Sequence, residues 1–107
     1  MAKTAPQIHA ITTDETRNIA VDCQGFLDTG ELLTGTPTIT EVTTALLTLT
    51  NKQVSTAELT INGATVAIGE AIQFTAAGST AGNYSVKFIC GTDASQTVSG
   101  FVKIIVS

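Results

Sequence analysis

The 107-residue sequence has no tryptophan, one tyrosine, four phenylalanines and a single histidine, and only 13% of its residues are charged. With so few aromatics, a core has to be built from Val, Ile, Leu and Ala. The lone His9 has no second histidine to complete a zinc set, and no carboxylate or nucleophile stands near it in sequence. Five basic residues, Lys3, Arg17, Lys52, Lys87 and Lys103, are scattered among nine acids, for a net charge of −4. They form no track that would follow a phosphate backbone or hold an anionic lipid surface, so neither nucleic acid nor membrane is expected as a partner. No window approaches the run of about 18 apolar residues that spans a bilayer. The opening MAKTAPQIHAITTDET holds one early lysine with no apolar run after it, so no secretory signal is read there.

Motifs of chemistry are missing too. There is no G-x-S-x-G elbow, and a Cys–His pairing is not credible with the one histidine in the opening segment. Gly78 to Gly82 matches neither the phosphate-loop nor the dinucleotide fingerprint. Asp22, Asp28 and Glu31 lie close together in a glycine-containing loop, with Asp93 in a distant turn. These hard oxygen ligands lack EF-hand spacing and are expected to be solvated carboxylates or turn caps. No catalytic residue, metal or cofactor is expected.

What is abundant is threonine, about a fifth of the chain, within a sequence that is 43% hydrophobic. Threonine's β-branch favours strands. The length fits one domain, large enough for an ordinary core without metals or disulfides.

The clearest pattern lies late in the chain. Tyr84, Val86, Phe88 and Cys90 alternate with polar positions such as Ser85 and Lys87, as in a strand with one wet face. A polar turn from Gly91 to Gln96 follows, then a strand from Thr97 to Val106 with Val98, Val102, Ile104 and Val106 on one side. Strand, turn, strand predicts an antiparallel hairpin.

Residues 1–14 contain Pro6 and no sustained periodicity, and read as an N-terminal arm ahead of a domain over 15–107. Ile8, Ala10 and Thr12 alternate within it and allow a short edge strand. Strands are then expected from Glu15 to Val21, Thr38 to Val42, Leu46 to Thr50, Val54 to Ile61, Ala64 to Ile68 and Glu70 to Thr75. Asn62-Gly63 marks a hairpin, because a type I′ turn needs positive φ at both central residues. Between Asp22 and Val42, Gly25, Gly30, Gly35 and Pro37 break up the chain, while Phe26, Leu27, Leu32 and Leu33 are too apolar for a wholly solvated loop. Seven or eight short strands at regular spacing, with no helical period, predict an all-β antiparallel sandwich.

Two stretches, LDTGELLTGTPTIT (Leu27 to Thr40) and GSTAGNYSVKFICGT (Gly78 to Thr92), carry a further pattern. It comprises an acidic, aromatic-containing strand end, a Gly-Glu turn with apolar residues, a Thr-rich strand, a Gly-Ala-Gly turn and Tyr-x-Val. The matching residues are Asp22, Phe26, Leu27, Gly30, Glu31, Leu32, Pro37, Ile39, Gly78, Gly82, Tyr84 and Val86. The pattern resembles small immunoglobulin-like virion proteins of phages, described as fibre–tail adaptors or tail-associated proteins and shading into capsid decorations. It covers most of Asp22 to Ser107. The family often carries a tryptophan near the first strand, which this chain lacks.

The resemblance implies an immunoglobulin-like β-sandwich and a non-enzymatic structural role in a tailed phage particle, assembled in the host cytoplasm. Its partners would be other virion proteins of the tail, head–tail connector, fibre or capsid, and further copies of itself. A fibre–tail adaptor is the first expectation, a capsid-decorating protein the second, and a surface-binding adhesion module a third of a different class. Expected contact residues are Ile8 in the arm and Phe26, Leu27, Leu32 and Leu33 in the apolar loop. Tyr84, entering a late strand, is expected to reach back with its hydroxyl to an upstream backbone group, a tyrosine corner; the alternative is a half-buried ring with its hydroxyl in water. Val86, not a cysteine, stands two residues after this tyrosine. Cys23 and Cys90 are therefore expected as two buried thiols packing as small hydrophobes rather than as an antibody-like disulfide.

Overall fold

A computed structural model describes residues 7–42, 47–61 and 63–107. They form β1 (Gln7–Ile11), β2 (Thr16–Asp22), β3 (Leu33–Glu41), β4 (Leu47–Val54), β5 (Leu59–Ile61), β6 (Ala64–Val66), β7 (Ala71–Gly78), β8 (Gly82–Thr92) and β9 (Thr97–Val106), with a 3-10 turn at Gln24–Phe26. One sheet has the order β1-β9-β8-β3, a second β2-β7-β4, and β5-β6 is a separate hairpin. The chain changes sheet between β1 and β2, between β2 and β3, between β3 and β4, and again between β7 and β8. With β2-β7-β4 facing β3-β8-β9, this is the strand arrangement of an immunoglobulin-like sandwich.

Alternation builds the core. Tyr84, Val86, Phe88 and Cys90 on β8 and Val98, Val102, Ile104 and Val106 on β9 are all buried, facing Ile19, Val21, Ile72, Phe74 and Ala76 of the other sheet. A second, smaller cluster of Ile61, Val66 and Ala71 seats the β5–β6 hairpin. In that hairpin Ile61 pairs with Ala64, and Gly63 takes φ +80°, which the tight turn requires and which costs glycine least. Asn62, the other expected turn residue, lies outside the described residues, as does Leu46.

Three expectations are corrected. The boundary at 14/15 does not separate an arm from the sandwich. Residues 7–11 form the edge strand β1, parallel to β9, and Ile11 is buried in the core. The Ser107 amide donates to the Ile11 carbonyl and the Thr13 amide to the Ser107 carbonyl, each at 3.0 Å. Backbone pairing with β9 and the inward Ile11 together hold this segment against the sandwich.

The strand expected to stop at Thr50 runs on to Val54, because Asn51, with φ 52°, makes a bulge within β4 instead of ending it. Val54 accordingly closes β4 opposite Ile72 and does not open the next strand, which starts at Leu59. β3 likewise begins at Leu33 rather than Thr38, with a register shift between Thr34 and Thr38 around Gly35 at φ +76°.

One glycine on β9 makes room for two aromatic rings of the core. Gly100 lies on the inward side of β9 opposite Phe88, whose ring meets Phe26 edge-on at 5.9 Å and 88°. A Cβ at Gly100 would stand 2.7 Å from Phe88 Cζ and 3.3 Å from Phe26 Cζ. The missing side chain is the space the two rings occupy. Gly100→Ala is therefore expected to destabilise the fold by about 1–3 kcal/mol, as overpacking does. Urea denaturation checks this; unchanged stability would mean that the rings have room to move aside.

Candidate interaction face

The outward positions of the four-stranded sheet follow from the same alternation. On β8 they are Asn83, Ser85, Lys87 and Ile89; on β9, Thr97, Ser99, Phe101, Lys103 and Ile105; on β1, Ile8 and Ala10; on β3, Thr38 and Thr40. Ile8 is 63% exposed, Phe101 48% and Ile89 37%. Register joins them: Ile8 lies beside Lys103, Phe101 beside Lys87, and Ile89 diagonally from Phe101. The face thus bears apolar side chains and two lysines and no carboxylate, in a chain with nine acids. Among the described residues neither lysine has an ion-pair partner; the pair that forms is Arg17 with Glu15, at 3.0 Å and away from this face.

The outer face of the other sheet is different in kind. Asn51 Nδ2 donates to Thr75 Oγ1 at 3.1 Å, and Thr75 Oγ1 donates to Asn18 Oδ1 at 2.9 Å. Its polar groups are largely occupied with one another and present no apolar anchor.

Of the residues expected to make contacts, Ile8 and Leu32 are exposed. Phe26 and Leu33 are buried, and Leu27 packs partly against the core. The loop carrying them folds inward, and its expected contact role is withdrawn for Phe26 and Leu33. Tyr84 is buried and its hydroxyl donates to the Thr80 carbonyl at 2.6 Å, a backbone group four residues upstream. Phe101, Ile89, Ile105 and the two lysines were not among the residues expected to make contacts. The signal was present: apolar residues occupy outward positions of the hairpin whose inward positions are already apolar.

The acidic loops are structural. Asp22 Oδ1 accepts from the Gln24 amide at 2.9 Å, and Asp93 Oδ1 from the Leu32 amide at 3.0 Å. Glu31 is buried, accepting from the Asp28 amide at 2.9 Å and the Thr92 hydroxyl at 2.7 Å. These bonds tie the loop after β2 to the turn after β8. Among the described residues no three His, Cys, Asp or Glu side chains are grouped to hold a metal ion.

Cys23 and Cys90 are free and buried in the main core. Burial, reinforced by the neighbouring Cys90 and Asp22, pushes the Cys23 thiol up to about 12. Burial also raises Cys90, against hydrogen bonds at the Thr34 and Gly91 backbone. A thiol held protonated is a poor nucleophile. Neither cysteine is expected to react with a disulfide reagent at mildly alkaline pH until the protein is unfolded; rapid labelling of the native protein would contradict this.

His9 lies on β1 beside an open cleft of about 480 Å³, also lined by Arg17, Asn18 and Ile19. Its Nε2 is buried without a hydrogen-bond partner among the described residues, and desolvation lowers its pKa from 6.5. The folded state therefore resists protonation that the unfolded chain accepts. Stability from this residue is intact above 6.5 and declines as pH falls through that value towards the depressed folded one. Thermal denaturation between about pH 7 and 5 should show this decline, and His9→Gln should flatten it.

No family model and no curated protein matches the sequence.

Proposed function

We propose that this chain is a non-enzymatic structural protein of a tailed phage particle that works through protein–protein contact, as an adaptor joining the tail or head–tail region to fibres. The observation carrying the contact role is the carboxylate-free outer face with Ile8, Ile89 and Phe101 exposed on it. Aromatic and aliphatic anchors sharing a surface are the form that protein-binding faces take. Support for the phage placement is the pattern resemblance across Asp22 to Ser107 and its agreement with an immunoglobulin-like strand order. The partners would be other virion proteins and further copies, and the site of action the virion, assembled in the bacterial cytoplasm.

Mass spectrometry of purified particles is the test. The chain is expected in them at low copy number, as suits a tail component; high copy number would instead make it a capsid decoration. Ile8→Ser with Phe101→Ser, both at exposed positions, should leave the fold intact and remove the chain from particles. Normal incorporation of that variant would sink the contact role of this face.

A further inference from the structure

We propose that the outer face of the four-stranded sheet docks the acidic loop end of a second copy of this chain. This rests on the contact-module reading and adds a partner and a geometry to it.

The loop end is a built unit. Leu32 and Asp93 are joined by two hydrogen bonds, Leu32 N to Asp93 Oδ1 at 3.0 Å and Asp93 N to Leu32 O at 2.9 Å. The Leu33 amide donates to the Gly69 carbonyl at 2.8 Å, which brings the turn before β7 alongside. Leu32 also packs over Gly69, where a Cβ would lie 3.4 Å from its Cδ2. Together these segments present Asp28, Glu70 and Asp93, and stretches 22–32, 55–70 and 93–96 contain no Lys or Arg. Leu32 is 38% exposed and Ile68 55%.

The two surfaces answer one another. The face has lysines and apolar anchors without a carboxylate; the loop end has carboxylates and apolar anchors without a base. Charge complementarity steers such surfaces together and fixes their register, while the apolar residues supply burial. Within one molecule the loop end lies at the tip of the sandwich and cannot fold over onto its own sheet face, since its backbone bonds hold it there. The complement is therefore met between molecules. Each copy has one of each patch to offer, so the contact is either made twice across a two-fold axis or repeated head-to-tail into a ring or a filament.

The test is the oligomeric state of the purified chain by sedimentation. The wild type is expected to associate with concentration, and to weaken about tenfold as salt rises from about 0.05 to about 0.5 M. Lys87→Glu with Lys103→Glu removes the face, and Asp28→Lys with Glu70→Lys removes the loop end; Asp93 is kept because it holds the loop. Each double variant alone should be monomeric, with circular dichroism confirming its fold. Mixed, they should associate again, since the intact face meets the intact loop end and the two reversed patches are opposite in charge. Were a variant to misfold, the salt dependence of the wild type still decides. A wild type monomeric at all concentrations overturns the proposal, as does association of the loop-end variant alone, which would mean face-to-face contact. If the wild type stays monomeric while the Ile8→Ser, Phe101→Ser chain is still lost from particles, this proposal falls and the contact-module reading stands.

Discussion

The structure depends on a vacancy filled by its neighbours. At Gly100 the inward stripe of β9 gives up one side chain, and the rings of Phe88 and Phe26 close over the gap. A chain without tryptophan has few large groups with which to hold two sheets together, so the few it has must be placed where they span the interior. Phe88 comes from the four-stranded sheet and Phe26 from the 3-10 turn after β2, so the contact fixes the path of that loop against the sheet. Once Phe26 is anchored, the chain that follows is held against the turn after β8 by Glu31 and Asp93.

Much of this was legible in the sequence where period and burial coincide. The positions of Tyr84, Val86, Phe88 and Cys90 needed no tertiary information, because one wet face and one dry face leave a period of two. Gly63 was legible because it follows an asparagine between two β-rich runs, the pair that a type I′ turn favours. What escaped was set by contacts distant in sequence. Ile11 alone could not reveal that β1 would lie parallel to a strand ninety-odd residues later. Asn51 looked like a strand end because a bulge and a terminus both interrupt alternation. Phe26 looked available for partners because an apolar residue in a loop reads alike whether it faces inward or out.

Charge is sorted by region, which the small net value conceals. Several carboxylates lie in the loops, where they accept backbone amides and shape the turns, and Lys87 and Lys103 stand on a strand face among apolar groups. The other sheet meets solvent with amides and hydroxyls bonded across its strands. One molecule thus carries three surfaces of different character, and just one of them, the β1-β9-β8-β3 face, exposes a band of large apolar groups along its strands.

The pairing of β1 with β9 has a mechanical side. The two strands run in the same direction, with Gln7 opposite Val102 and Ile11 opposite Val106. Tension applied at residue 7 and at residue 107 would pull them in opposite senses along their length. The hydrogen bonds would then be loaded in shear and have to rupture as a group, whereas a hairpin pulled at its open end unzips a rung at a time. Tension between residues 7 and 107 would therefore be resisted by the whole ladder at once.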